Sequence, residues 1–185
     1  MALGGFMLEK ENCGLILVDI QGSLARMVQH SELFLANTKK LLQCSKLLAM
    51  PVIWLEQNPK GLGATVPEIV ELMKGADAIE KFHFNAMCEP QVNKAIKATG
   101  RQEWLVAGIE AHICVYQSVL GLLNEGFKVD VVSDCISSRL QSNIDLALIK
   151  MRDSGARLTS LEMCIFELMK TSKIENFRKI LSIIK

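Results

Sequence analysis

Short apolar runs recur along this chain, each closed by a glycine or a polar residue and each followed by a stretch of helical spacing. That alternation constrains the fold more than any other feature. Residues 14–19 read GLILVD, too few for a helix and apolar throughout until the final carboxylate, as expected of a central parallel strand buried on both faces. Ser31 then caps a helical pattern that runs to Met50, with Leu33, Leu41, Leu42, Leu47 and Leu48 at roughly helical spacing, and Pro51 stops it before a second strand at 52–55. Residues 56–66 (EQNPKGLGATV) have the proline and glycine content of a structured loop, and Pro67 opens a short helix to Lys74. Residues 79–85 (IEKFHFN), if extended, put Phe82 and Phe84 on one face and Lys81 and His83 on the other. A helix at 90–99 follows. The second half repeats the rhythm: strand 104–107 into helix 112–125, strand 129–132 into helix 143–154, a last strand at 157–160, then helix to Ile184 with a break near Thr171.

Strands alternating with helices of about 10 to 15 residues specify an α/β fold, a three-layer α/β/α sandwich around a mostly parallel, Rossmann-like sheet. With 185 residues and no linker, repeat or low-complexity tract, the chain is expected to form a single domain over residues 1–185. In such folds ligands sit beyond the carboxyl ends of the strands. Polar residues there are the first candidates for chemistry.

Composition narrows the partners. Twenty-one Lys and Arg face 20 Asp and Glu, so a net charge of +1 gives no basis for binding nucleic acid or an anionic membrane, and a small-molecule substrate is expected. No apolar run approaches the roughly 20 residues of a membrane span. Glu9, Lys10 and Glu11 interrupt the place where a secretory leader needs an apolar core, so a cytoplasmic protein is expected. The six cysteines (13, 44, 88, 114, 135 and 164) include no C-x-x-C pair, which argues for reduced, mostly buried thiols rather than a zinc knuckle or a disulfide scaffold.

Three residues fall at strand ends: Asp19, Lys81 and Cys114. Cys114 lies in GIEAHICV (residues 108–115), in the first turn of a helix, where unpaired N–H groups and a neighbouring lysine lower a thiol's pKa from about 8.5 toward roughly 3.5–7.5 and make it a nucleophile. Asp19 is a matching proton acceptor. Each residue also has an ordinary reading: Cys114 as a small core residue, Asp19 as a cap or turn former, Lys81 as a solvated surface lysine.

VDIQ around Asp19, EKFHFN around Lys81 and GIEAHICV around Cys114 together resemble the isochorismatase-like cysteine hydrolase family. Residues 55–69 and 133–169 further resemble its branch of YcaC-like and isochorismatase-domain-containing proteins. The resemblance implies a six-stranded parallel sheet between helices, with Asp19 as general acid/base, Lys81 as electrostatic partner and Cys114 as nucleophile. It implies a cis peptide between Ile109 and Glu110 and an oxyanion hole with N–H donors from Glu110 and Cys114. The amidohydrolase members of the family attack a carbonyl with the thiolate, release an amine and hydrolyse a thioester.

Two departures carry weight. Nicotinamidases of the family hold a metal with an Asp-x-His-x-x-His motif beside the second strand, whereas EQNPK at residues 56–60 has no histidine, so neither a metal nor another cofactor is expected. The true isochorismatases lack the cysteine and cleave a vinyl ether by acid catalysis, so Cys114 argues against that reaction. The expected function is a metal-independent cleavage of a C–N bond in a small amide or carbamoyl compound. The alternatives are a non-catalytic scaffold of the same fold and, with less support, a vinyl-ether hydrolase. Gln21, Leu24, Gln57, Asn58, Phe82, His112 and Tyr116 lie in segments that could line a pocket for a partly apolar carbonyl compound, His112 as a substrate or structural contact rather than a base. His30 and His83 are expected in loops. The apolar stripe Ile174, Phe177, Ile180, Leu181 and Ile184 fits packing on the core or on another subunit. A homo-oligomer, dimer or higher, is expected from the family.

Overall fold

A computed structural model describes residues 7–185, so the secretory-leader expectation rests partly on residues 1–6, which lie outside the described residues. Six strands form one parallel sheet: β1 (Cys13–Val18), β2 (Val52–Gln57), β3 (Ile79–Lys81), β4 (Glu103–Ile109), β5 (Lys128–Ser137) and β6 (Arg157–Thr159). Their order across the sheet is β3-β2-β1-β4-β5-β6. Chain progression therefore reverses direction between β1 and β4, and the crevice beyond their carboxyl ends is the place where such sheets take ligands.

The helices are α1 (Leu24–Met27), α2 (Ser31–Leu47), α3 (Pro59–Leu62), α4 (Pro67–Val70), α5 (Pro90–Ala98), α6 (Tyr116–Asn124), α7 (Gln141–Asp153), α8 (Leu161–Met169) and α9 (Phe177–Ile184). The sheet divides the apolar interior in two. Leu15 and Leu17 of β1 pack with α2, α8 and α9, while Ile16 and Val18 pack with α5, α6 and α7. That two-sided burial is why β1 shows no polar alternation. Ile180 is buried, and Ile174, Phe177 and Ile184 pack against the first of these cores, so the apolar stripe seen in the sequence covers the chain's own interior.

Several boundaries differ from the expected ones. Helix α2 begins at Ser31 rather than after it: His30 occupies the cap with φ 50°, and no side chain caps the end. The expected loop at 56–66 holds the short helix α3, opened by Pro59 at a position where the missing N–H costs nothing. Strand β5 runs ten residues, and its register against β4 shifts between Val106 and Gly108. Strand β3 ends at Lys81 instead of continuing to Asn85. One Oε1 of Glu89 accepts from Phe82 N–H (2.7 Å) and His83 N–H (3.0 Å), turning the backbone out of the sheet. Those bonds hold the Glu89 carboxyl down at about 2. No helix among the described residues is long and apolar enough to cross a membrane.

Candidate active site

Three strand ends converge. Asp19 follows β1 in the left-handed region (φ 53°), a conformation Asp tolerates better than most residues, with its N–H donating to Leu55 O (3.2 Å). Beside it, Gly108 of β4 has φ 128°, and a Cβ there would lie 2.1 Å from Val18 O, so only glycine lets the ends of β1 and β4 approach this closely. The Ile109–Glu110 peptide beyond it is cis, at the bond where the sequence resemblance places one. Residues Ala111–Val115 then form a single π-type turn that carries Cys114 and leads into α6. Lys81 enters from the end of β3.

Lys81 is 0% exposed. Its Nζ donates to Asp19 Oδ2 (2.7 Å), Gln57 Oε1 (2.7 Å) and His83 O (3.4 Å), which uses all three ammonium protons. A lysine so placed is not the solvated surface residue its sequence position also allowed; an ammonium is kept charged inside a protein by this kind of pairing. Gln57 Nε2 in turn donates to Phe82 O (2.8 Å). The Gln57 backbone is fixed by Gln21, whose Oε1 accepts from Gln57 N–H (2.7 Å) and whose Nε2 donates to Gln57 O (3.1 Å) and Gly63 O (2.7 Å). Gln21, Gln57, Lys81 and Asp19 thus form one polar chain.

Asp19 is 2% exposed, and burial raises its pKa above the ordinary 3.8 against the opposing pull of Lys81. Oδ2 is held by the lysine, while Oδ1 is buried without a hydrogen bond of normal geometry among the described residues. The Cys114 thiol is close enough to interact with both the carboxylate and the ammonium without satisfying Oδ1. Cys114 itself is pushed up to about 12, first by burial and then by the negative charge of Asp19, with Lys81 only partly offsetting them. This corrects the sequence expectation of a lowered thiol pKa. A helix start and one lysine favour the anion, but the lysine's charge is already spent on Asp19, and desolvation outweighs the rest. The resting thiol is neutral.

Asp19 and Cys114 line a cavity of about 300 Å³. Of the residues expected from sequence to line a pocket, Leu24 and Gln57 do so, and Glu110 sits on its wall. Gln21 is buried behind it, with its amide committed to backbone. Asn58 serves the turn into α3, its N–H donating to Lys81 O (2.9 Å). Phe82 is 65% exposed and away from the cavity; the turn imposed by Glu89 presents Phe84 to it instead. Both ring nitrogens of His112 are engaged elsewhere, with Ser138 Oγ (3.0 Å) and Asn143 Nδ2 (3.2 Å), a structural contact that leaves no role for the ring as a base. Tyr116 packs against the α5–α7 side of the core with Lys150 Nζ 5.1 Å from its ring centroid. His30 and His83 are exposed. All six cysteines are free, and only Cys88 is exposed.

Sequence reasoning missed Leu62, Ile109, Ile113 and Arg139 on the cavity wall. Arg139 follows β5, the neighbour of β4, and its position at a strand's carboxyl end was a usable signal. Its backbone N–H and Nε both donate to Glu110 Oε1 (3.2 and 3.0 Å). Among the described residues, no three His, Cys, Asp or Glu side chains group as metal ligands would.

Comparison with known proteins bears on the family and the fold. The family model of the Isochorismatase domain matches residues 13–163. The chain is 36% identical over 173 residues to Isochorismatase domain-containing protein 2 of Xenopus laevis, covering 92% of this chain and 82% of the relative. The MAR1 ribonuclease structure from Caenorhabditis elegans superimposes with a TM-score of 0.91 at 32% identity, over 97% of this chain and 92% of that one. YcaC from Pseudomonas aeruginosa, solved with hexane-2,5-diol and covalent acrylamide, superimposes with a TM-score of 0.93 at 29% identity, over 98% and 93%.

Proposed function

The chain belongs to the isochorismatase family, and on that premise we propose that it is a metal-independent cysteine hydrolase, with Asp19, Lys81 and Cys114 as the catalytic triad acting on the C–N bond of a small amide or carbamoyl compound. One observation carries the reading: Asp19 has one oxygen pinned by a fully buried ammonium and the other, without a normal hydrogen bond among the described residues, in a cavity shared with a thiol.

In this mechanism Asp19 Oδ1 takes the thiol proton as Sγ bonds to the substrate carbonyl carbon, whose π electrons move to oxygen. Since the thiol is neutral at rest, proton removal and attack occur together, and a carboxylate whose pKa is raised is a better base for it. The backbone N–H groups of Glu110 and Cys114 are the proposed donors to the oxyanion. Collapse breaks the C–N bond, Asp19 returns the proton to nitrogen, and the amine leaves. Water then attacks the thioester carbon and gives its proton to Asp19. The C–S bond breaks and Asp19 reprotonates the thiolate, restoring the starting state. Lys81 keeps Asp19 oriented throughout. The covalent acrylamide in the P. aeruginosa relative supports a reactive nucleophile in this fold.

The test is turnover of a panel of small amides and carbamoyl compounds by the wild type and Cys114→Ala, with intact-mass trapping of the acyl adduct. Equal rates in both proteins would rule out the covalent route. If neither turns over an amide and no adduct forms, the scaffold reading gains. Isochorismate cleavage that survives Cys114→Ala would point to vinyl-ether hydrolysis. Phosphodiester cleavage, the activity in the C. elegans relative's name, has less support here: the net charge is +1, and Arg139, the cation on the cavity wall, is paired with Glu110. Self-association, at least to a dimer, belongs to the same proposal, supported by exposed Leu140, Leu146 and Ile149 at the start and along α7. Light scattering at micromolar concentration tests it.

A further inference from the structure

Between β3 and α5 the chain makes a bend whose polar groups are met largely by side chains rather than by a neighbouring strand. The N–H groups of Phe82 and His83 both donate to Glu89 Oε1 (2.7 and 3.0 Å), and His83 Nδ1 lies 2.8 Å from the same oxygen. Consecutive backbone N–H groups turned toward one point form a concavity that suits an anion, and here the chain fills it with its own carboxylate. The carbonyls of the same bend serve the site. Lys81 O accepts from Asn58 N–H (2.9 Å), Phe82 O from Gln57 Nε2 (2.8 Å) and His83 O from Lys81 Nζ (3.4 Å). That last contact is the longest of the three made by the ammonium, and Lys81 is 0% exposed, so solvent does not reach Nζ to replace it. The bend also separates two phenylalanines that an extended chain would place on one face, setting Phe84 against the cavity and leaving Phe82 exposed. Further on, Ser118 Oγ donates to Phe84 O (3.3 Å) and accepts from Ala86 N–H (3.0 Å), so the segment is held at Glu89 and again at Ser118.

We infer that Glu89 is a positioning residue: by gathering the N–H groups of Phe82 and His83, its carboxylate sets His83 O against the Lys81 ammonium and Phe84 on the cavity wall. The inference rests on the hydrolase reading for the catalytic use of Lys81, while the geometry of the bend stands without it. Charge matters here as well as the oxygen. Two N–H groups and an imidazole share one Oε1, and hydrogen bonds to an ionised acceptor are about twice as strong as those to a neutral one. With its carboxyl held down at about 2, Glu89 is ionised wherever Asp19 is, so the bend is in place throughout the range in which Asp19 can act as a base.

The experiment uses the full chain and two thiol reagents, acrylamide and N-benzylacrylamide. Rates of Cys114 alkylation are read by peptide mass mapping, each divided by the rate with glutathione, and the ratio of the benzyl to the parent reagent reports the apolar wall. Phe84→Ala should lower that ratio about threefold or more, as the loss of part of an aromatic contact does. Glu89→Ala should lower it as far, and the double variant no further, because the two residues act through one contact. Glu89→Gln, which keeps an acceptor oxygen without the charge, should recover part of the ratio. A crystal structure of Glu89→Ala should show His83 O withdrawn from Lys81 Nζ and Phe84 off the wall, and it decides alone where Cys114 resists both reagents. Circular dichroism verifies folding, and should Glu89→Ala unfold, Glu89→Gln takes its place in both measurements. An unchanged ratio in a folded variant, effects that multiply in the double variant, or a variant structure with both contacts intact overturns the inference. None of these readouts needs turnover. A protein that shows the coupling and hydrolyses no amide loses only the hydrolase reading; one that hydrolyses amides and lacks the coupling loses only the Glu89 assignment.

Discussion

The two ends of β1 hold nearly the same set of groups and behave differently. At the carboxyl end, Asp19 pairs with Lys81 beside the Cys114 thiol. At the amino end, the buried Cys13 thiol lies near Asp130 and Glu103, with Arg157 Nη2 2.6 Å from Asp130 Oδ2 and 3.6 Å from Glu103 Oε1, and Lys128 Nζ 3.3 Å from Glu103. Burial raises both aspartates above the ordinary 3.8, and it pushes both thiols up to about 12. Perturbed titration therefore does not separate a site from a structural ion network. Three other features do. Cys114 opens on a cavity while Cys13 is sealed, Asp19 keeps an unpartnered oxygen, and only the carboxyl end receives the start of a helix at the topological reversal of the sheet. At the amino end the thiol turns back onto its own strand, donating to Gly14 O (3.6 Å).

Substitutions can break this contrast, beginning with the most severe. Cys114→Ala should lower amide turnover by about 10³-fold or more, as removing a covalent nucleophile does, whereas Cys13→Ala should leave the rate per folded molecule unchanged; steady-state kinetics on both variants decides it. Lys81→Met leaves the Asp19 carboxylate buried and unpaired and should cost about 3–5 kcal/mol in urea unfolding. Arg157→Met should cost less, about 1–3 kcal/mol, because that guanidinium is a third exposed and water can approach the remaining carboxylates. Equal losses would mean that the two clusters are energetically alike. In the folded protein, iodoacetamide should modify exposed Cys88 first and Cys114 next, with Cys13 protected until unfolding, as read by peptide mass mapping.

Titration gives the smaller effects. Thiols raised from 9.0 to about 12 stay protonated in the folded chain while the unfolded chain ionises, so their stabilising contribution is whole below pH 9 and declines as pH rises toward 12. Ultraviolet difference spectra of wild type against Cys114→Ala should accordingly show no thiolate below pH 9; a thiolate titrating near neutrality would restore the lowered-pKa picture. The raised pKa of Asp19 places the acid limb of kcat/KM above 3.8, with activity lost as pH falls through it. Smallest of all, Phe84→Ala should raise KM severalfold and Phe82→Ala should leave it within about twofold, since only Phe84 meets the cavity.

Much of this molecule is written locally. The apolar runs read at 14–19 and 104–107, which fall within or beside the strands Cys13–Val18 and Glu103–Ile109, and the helices closed by Gly100, Gly126 and Gly155, follow from short-range periodicity and glycine's access to positive φ, which is why the fold class and the positions of Asp19, Lys81 and Cys114 at strand ends can be read from the residues alone. The cavity wall could not be read that way. Phe84 replaces Phe82 because Glu89 bends the chain after Lys81, and Arg139 arrives because a shifted register carries β5 past its expected end to meet Glu110. The charge state of the thiol was likewise undetermined, since desolvation depends on what every neighbouring element covers. Sequence determined which groups the chain possesses and in what order the sheet receives them. Tertiary structure decided which of them face one another and how much water remains, because backbone preference acts over a few residues while burial and Coulomb interaction sum over residues far apart in the chain.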